Sequence, residues 1–188
     1  MALETSDNLA FIDGDCVPHK HFVREYISVL KTGFYFTGRA LMLSDKLTQH
    51  CLKTKSIQAL TFWKIFRSNS DRKKDFLYSG ILASIAKPRG LVGRNWGIKK
   101  QHLLDINGFD EDYVKAGVGE DVDLEWRLRA SGIAEKTAKH RAIVLHLWHP
   151  KGYSEDDVAL NFEMLTAKKE LNNISFIKKN SLRHLMND

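Results

Sequence analysis

Short apolar segments and helical patterns alternate along the chain. Residues 9–12 form an apolar run that stops at Asp13, which is typical of a buried strand leading into a turn. Apolar residues at helical spacing predict a helix between His19 and Lys31, and the aromatic segment from Phe34 to Leu43 favours a strand. A short helix is expected to begin at Asp45 and to end near Cys51.

The rest of the chain continues this alternation. The predicted elements are helical segments at 56–86 (interrupted near 68–70), 100–106, 120–132 and 154–170, a turn with a short extended piece at 90–96, and a strand at 141–147. Ser154 and Asp157 have the spacing of a capping box at the start of the last helix. Strands that alternate with helices predict an α/β protein, in which the strand at 9–12 is expected to be central.

Composition limits the class of protein. The chain has 188 residues, of which 43% are hydrophobic and 28% charged, so a folded domain is expected rather than a disordered chain. We assign residues 1–170 to this domain and 171–188 to a basic polar tail. No apolar run approaches the roughly 18 residues of a membrane span, and residues 1–7 lack a secretory pattern. Cys16 and Cys51 are too few for a disulfide framework, so the fold should tolerate a reducing compartment.

Charge is distributed unevenly around the formal net value of +6. Ten basic and two acidic residues lie between Lys64 and Lys100, and eight acidic residues and one lysine lie between Asp105 and Glu125. Such a pattern favours a site for phosphate or a metal, or a surface that faces a membrane. Two solvated faces would produce the same pattern.

Paired carboxylates stand at two places where α/β proteins commonly bind ligands. Asp13 and Asp15 follow the first strand, where carboxylates can hold a divalent cation that bridges a diphosphate. Glu120 and Asp121 follow a glycine-rich bend at the expected start of a helix, whose dipole stabilises negative charge. Taken alone, the first pair is also common in turns, and the second is explained equally well by helix capping.

Two further segments carry candidate binding groups. His146 and His149 follow a predicted strand, and either imidazole can ligate a metal, although a surface histidine is the simpler interpretation. Arg94 lies in the basic region and can pair with phosphate. Asn95 and Trp96 offer an amide and a ring face to a sugar, but Trp96 suits a core equally well.

The order of these motifs resembles the C-terminal part of family-2 glycosyltransferases, which have the GT-A fold. Four segments between residue 9 and residue 165 carry the resemblance: FIDGDCVP at 11–18, GRNWGIKK and INGFDE within 93–111, GED with RL and SGI within 119–133, and VLHLWHP at 144–150. The pattern resembles bacterial members that build lipopolysaccharide or capsule. It implies a mixed sheet flanked by helices.

The resemblance also implies a metal site and a catalytic base. Asp15 would be the direct metal ligand, with Asp13 in the metal and nucleotide site. His146 would be the far ligand, with His149 as its substitute. Asp121 would deprotonate the acceptor hydroxyl and Glu120 would orient the acceptor. The remaining substrate-binding residues would be Arg94, Asn95, Trp96 and Gly119.

The implied reaction is the transfer of a sugar, with inversion, from a nucleotide-diphospho-sugar to a glycan or lipid-linked glycan acceptor. A UDP-sugar is the expected donor, and Mn²⁺ or Mg²⁺ the expected cofactor, with a carboxylate and imidazole set favouring Mn²⁺ slightly. The expected location is cytoplasmic, with peripheral contact to the inner face of the cell membrane. No nucleic-acid partner is expected, because the chain has an acidic block and no recognised nucleic-acid motif.

The chain departs from the family pattern at its beginning. Family members start with two βαβ units that bind the nucleotide, whereas eight residues precede Leu9 here. The expectation is that these units are absent, through truncation or because a second polypeptide supplies them. Donor binding would then be weak, activity of the chain alone would be in question, and the first strand would expose an unpaired edge.

A function of another class is therefore the alternative. The chain would be a non-catalytic remnant that binds a membrane surface or a partner through its basic aromatic stretch. The aromatic residues interleaved with this basic region are Phe62, Trp63, Phe66, Phe76 and Tyr78.

Overall fold

Two mixed β-sheets flanked by helices make up the computed structural model, which describes residues 6–58, 60–115 and 119–172. In chain order the elements are β1 (Asn8–Ile12), β2 (Cys16–Pro18), α1 (Phe22–Val29), β3 (Phe34–Thr37), β4 (Arg39–Met42), α2 (Asp45–Thr54), α3 (Phe62–Phe66), a 3-10 helix (Lys73–Phe76), α4 (Gly80–Ile85), β5 (Asn95–Lys99), α5 (Lys100–Asp105), α6 (Glu120–Ala130), β6 (Ala134–Thr137), β7 (Ile143–His146) and α7 (Glu155–Glu170). The α/β class is confirmed. The predicted tail at 171–188 lies outside the described residues except for 171 and 172.

The strands of the two sheets interleave along the chain. The first sheet has the order β1-β5-β3-β6, in which β5 is antiparallel to both its neighbours and β3 is parallel to β6. The second has the order β2-β7-β4, in which β2 is antiparallel and β4 parallel to β7. No helix in the described part of the chain is long and apolar enough to cross a membrane.

The first strand lies at an edge and not at the centre of its sheet, so the prediction of a central strand is wrong. Among the described strands β1 pairs with β5 alone. Its burial also differs from that of a central strand, because Leu9 is buried whereas Ile12 is 39% exposed. The free edge of β1 agrees with the unpaired edge expected from the sequence.

The single strand predicted from Phe34 to Leu43 is divided at Gly38, and its halves join different sheets. The backbone of Gly38 runs directly against the Asn95 side chain, since a Cβ at position 38 would lie 2.3 Å from Asn95 Nδ2. The same Nδ2 donates to the carbonyls of Arg39 and Ala142, both at 2.9 Å. The amide of Asn95 therefore ties β5 to the segments that begin β4 and β7.

The segment predicted as an interrupted helix at 56–86 contains less helix than expected. It forms only α3, the 3-10 helix and α4. Ser68 Oγ donates to the Ile65 carbonyl and accepts from the Ser70 N–H, and Arg72 is left-handed with φ of 56°. Such local side-chain bonds compete with a continuing helix. The short strands β2 and β6 were not predicted.

A buried arginine joins α6 to the loop that follows α5. Arg127 Nε donates to Asp123 Oδ2 at 2.7 Å, and both side chains are 1% exposed. Arg127 Nη1 donates to the carbonyls of Ile106 and Gly108 at 2.9 and 2.7 Å. On the same helix Leu124 and Leu128 pack into the core of the first sheet. These contacts fix the position of α6, whose first turn carries Glu120 and Asp121.

Replacing Arg127 with methionine should destabilise the protein strongly, because Asp123 would keep a buried charge without its partner. We expect Arg127→Met to lower the free energy of unfolding by about 3–5 kcal/mol. The control is Lys115→Met, which removes an exposed pair with Asp157 and should cost less than about 1 kcal/mol. Urea denaturation followed by circular dichroism measures both, and equal losses would contradict the assignment.

Candidate functional site: a carboxylate and imidazole cluster

The turn after β1 is held against the end of β7. The Asp13 carbonyl accepts from the Cys16 N–H at 3.0 Å, and the Asp15 carbonyl accepts from the Leu147 N–H at 2.9 Å. Between these two bonds, β2 pairs with β7 so that Cys16 lies opposite His146. This register brings residues 13–15 beside residues 146–149, although more than 130 positions separate them in the chain.

Both histidines turn the same ring nitrogen toward Asp15. His149 Nε2 lies 2.8 Å from Asp15 Oδ2, and His146 Nε2 lies 3.5 Å from Oδ1. On the other side of each ring, Nδ1 faces a backbone carbonyl. His146 Nδ1 lies 2.9 Å from the Leu147 oxygen, and His149 Nδ1 lies 2.7 Å from the Pro150 oxygen. Because a carbonyl only accepts, Nδ1 carries the proton in each ring.

This arrangement leaves lone pairs facing one another. In a neutral ring protonated at Nδ1, Nε2 is an acceptor, and here it faces a carboxylate, which is also an acceptor. Either a proton or a metal cation between them removes the repulsion. Asp15 Oδ1 is buried and has no hydrogen-bond partner among the described residues. An imidazole whose Nδ1 donates to a carbonyl while Nε2 points at other ligands is the usual arrangement around metals.

Four ligand groups lie close enough together to hold a metal ion. Ligand atoms of Asp13, Asp15, Cys16 and His146 all lie within 4.8 Å of one another. Burial, together with the charges of Asp13 and Asp15, raises the pKa of the Cys16 thiol to about 12. A neutral thiol is a poor metal ligand. The oxygens and imidazole nitrogens are therefore the donors expected to bind.

Two more carboxylates reach this cluster from α6. Burial raises the pKa of Asp13, and the charges of Asp15 and Asp121 raise it as well, against opposing effects of Arg94 and His146. The pKa of Glu120 is also raised, by desolvation in the cleft and then by Asp121 and Asp13. These shifts indicate that the two carboxylate pairs predicted from the sequence, Asp13 with Asp15 and Glu120 with Asp121, lie close enough to repel each other.

Gly93 lies between the two pairs. Its N–H donates to Asp121 Oδ2 at 3.4 Å, and a Cβ at this position would lie 3.9 Å from Asp13 Oδ1. The second oxygen of Asp121, Oδ1, accepts from the Val122 N–H at 2.9 Å. Two backbone donors therefore hold the Asp121 carboxylate in one orientation at the start of α6.

Gly119 shapes the backbone that leads into α6 and is not placed on the cleft. Its φ of 147° lies in the region that favours glycine, and a Cβ there would lie 2.7 Å from Asn161 Cβ. The predicted glycine-rich bend includes residues 116–118, which are outside the described part of the chain. Within the described residues, Gly119 therefore acts by positioning Glu120 and Asp121.

The four carboxylates and both histidines line a cleft of about 1500 Å³. The exposed indole of Trp148 and the ring of Tyr153 lie on the same walls. The basic residues on the walls are Lys46, Lys64, Arg67, Arg72, Arg94 and Lys151. A lining that combines carboxylates, imidazoles and basic side chains suits a ligand with a metal-bridged phosphate and an uncharged polar part.

Asn95 and Trp96 do not line this cleft, and the expectation that they bind a sugar is corrected. Trp96 is 1% exposed and stacks on Phe11 with ring centroids 4.3 Å apart. Asn95 is 2% exposed, and its Oδ1 accepts from the Tyr26 hydroxyl at 2.6 Å. Both side chains are therefore buried in the core rather than open to a ligand in this cleft. Arg94, in contrast, is half-buried and lines the cleft as expected.

Trp148, Lys151 and Tyr153 are among the cleft residues that were not singled out from the sequence. Trp148 and Lys151 flank the second histidine, and Tyr153 follows them at the start of the last helix. Their position next to His149 was an available signal, because residues beside a ligand at the end of a strand share its surface. No protein-family model matches the chain, and no curated protein is significantly similar to it.

Manganese binding tests the cluster directly. The full chain should bind Mn²⁺ in calorimetry, and Asp15→Asn should weaken the affinity at least about tenfold because it removes the charge that both imidazoles face. Glu163→Gln, which removes an exposed carboxylate on α7 outside the cleft, should leave the affinity unchanged. Equal affinities for the native chain and Asp15→Asn would show that the cluster does not hold the ion.

Proposed function

We propose that the chain provides the catalytic part of a metal-dependent, inverting glycosyltransferase that uses a nucleotide-diphospho-sugar. One observation carries the proposal: Asp13 and Asp15 share one cleft with Glu120 and Asp121. The first pair, with the histidines, suits the diphosphate end of a donor, and the second suits the acceptor hydroxyl. Resemblance to the GT-A fold arises from the order of the motifs and supports the same conclusion.

The metal site would serve the leaving group. Asp15 and His146 are the proposed ligands, Asp13 lies beside them, and His149 is in reach of the same carboxylate. Mn²⁺ or Mg²⁺ bound there would neutralise charge on the departing nucleoside diphosphate. Arg94 and Arg72 on the cleft wall would contact the phosphate oxygens.

Asp121 is the proposed base. Its carboxylate is held by the N–H groups of Gly93 and Val122, so its orientation is fixed before a substrate binds. The acceptor hydroxyl would give its proton to Asp121 while its oxygen forms a bond to the anomeric carbon. The bond from that carbon to the diphosphate breaks on the opposite face, which inverts the configuration. Glu120, one residue earlier on the same rim, would orient the acceptor by hydrogen bonding.

The proposed partners follow from this chemistry. The donor would be a UDP-sugar, and the acceptor a glycan or a lipid-linked glycan of the cell envelope. Trp148, which is 49% exposed, and Tyr153, which is also exposed, would offer ring faces to sugar units. A lipid-linked acceptor would bring the enzyme to the inner face of the cell membrane.

Turnover of UDP-sugars tests the proposal. With Mn²⁺, the full chain should release UDP from at least one of UDP-glucose, UDP-galactose and UDP-N-acetylglucosamine, with water as the acceptor. Asp121→Asn should lower this rate about 100-fold or more, because a general base contributes roughly 10²–10⁴. Glu163→Gln should not change it. Release that is independent of Mn²⁺ or unaffected by Asp121→Asn would contradict the proposed roles.

A second candidate function has its own observation. Phe62, Trp63 and Phe66 form a cluster of rings on α3, in which Trp63 is 65% and Phe66 57% exposed. Lys64 and Arg67 accompany them, as in segments that bind anionic membrane surfaces. Sedimentation of the folded chain with phosphatidylglycerol vesicles, together with no UDP release from any of the donors, would favour this candidate over the enzyme.

A further inference from the structure

A second cleft of about 780 Å³ lies beside the first and has a different electrostatic character. It is lined by seven basic and two acidic side chains, whereas the first cleft is lined by six of each. Arg72 and Arg94 line both clefts, so the two are neighbours. The basic residues of the second cleft are Arg39, Arg72, Lys73, Lys74, Arg89, Arg94 and Lys139.

Arg39 is the unusual member of this set. It is 8% exposed, and burial lowers its pKa against the opposing charges of Asp75 and Glu135, while Arg89 and Arg72 lower it further. In the described part of the chain its guanidinium donates to the neighbouring Gly38 carbonyl at 2.9 Å and has no carboxylate within ion-pair distance. Nη2 is buried without a hydrogen-bond partner there. A buried guanidinium with no direct ion pair and an unpartnered N–H group is costly and needs a functional or structural reason.

Among the described residues, the acidic side chains of this cleft make no direct ion pair with Arg39, and Asp75 acts on it only at longer range. Asp75 is paired with Lys139 at 3.1 Å. Lys73 Nζ donates to the carbonyls of Phe66 and Ser68. Arg72, Lys74 and Arg89 have no ion pair among the described residues. The cleft therefore keeps an excess of positive charge around a buried guanidinium.

We propose that this second cleft binds the phosphate group of a phosphorylated ligand. A guanidinium presents its N–H groups in a fork that matches two phosphate oxygens. A doubly charged phosphate also neutralises more of the excess positive charge than a single carboxylate would. The site is distinct from the proposed metal cluster and needs no metal. Arg72 and Arg94 would form the boundary at which a ligand in one cleft meets a ligand in the other.

Calorimetry in the presence of EDTA separates this site from the metal cluster. The full chain should bind inorganic phosphate and glucose 6-phosphate at millimolar concentrations or below, and it should not bind glucose. Tighter binding of the ester would assign a phosphorylated metabolite, and equal binding would assign free phosphate. Asp15→Ala should bind both like the native chain, so failure of the metal proposal would leave this result unaffected.

Variants locate the bound phosphate. Arg39→Met should weaken binding at least about tenfold, as expected for loss of hydrogen bonds to a charged group. Because Arg39 is buried, Arg89→Ala, at an exposed position, provides a second variant that should weaken binding about threefold or more. Lys169→Ala, exposed on α7 and outside both clefts, should have no effect. Absence of phosphate binding, or unchanged affinity in both arginine variants, would overturn the proposal.

Discussion

Four carboxylates from two distant segments meet at one cleft, and their mutual repulsion is the constraint that the surrounding structure has to satisfy. It raises the pKa of Asp13 and of Glu120. Backbone donors to Asp121 and the nearby charge of Arg94 offset part of this repulsion. The part that remains is concentrated at Asp15, where two imidazole nitrogens and a carboxylate face one another. A divalent cation bound there would satisfy all three groups.

The framework that holds the carboxylates together is made of buried polar contacts rather than of apolar packing alone. Asn95 joins β5 to the segments that begin β4 and β7, and Arg127 fastens α6 to the loop after α5. The first contact positions the sheets whose ends carry Asp13 and His146, and the second positions the helix that carries Asp121. Removal of either contact would misalign the carboxylates of the cleft, although neither Asn95 nor Arg127 lines that cleft.

The candidate site was predictable to the extent that its residues stand at the ends of elements. Asp13, Asp15 and His146 follow or end strands, and Asp121 lies in the first turn of a helix, so local pattern made them candidates and the order of the motifs gave them their expected roles. The role of Asn95 was wrongly predicted, because the sequence does not distinguish an amide that hydrogen-bonds within the core from one that binds a sugar. Its partners, Tyr26 and Ala142, are about 50 to 70 positions away and leave no local signal.

The fold was predictable in class but not in arrangement. Helices with clear capping or glycine signals were placed within a few residues, as for α7, where Ser154 and Asp157 form the expected capping box. The division at Gly38 and the edge position of β1 depend on contacts between distant strands. The same holds for the second cleft, in which Arg39 meets residues from three other segments. Long-range assembly of this kind is not encoded in periodicity.

The central claim is that the carboxylate and imidazole cluster binds a divalent cation that in turn holds a diphosphate. Calorimetric titration of UDP into the full chain, with and without Mn²⁺ and repeated on Asp15→Ala, tests it most directly. Heat of binding that requires both the metal and Asp15 is the predicted result. Binding of UDP that persists without Mn²⁺ or in Asp15→Ala, or no binding to a folded sample, would contradict it.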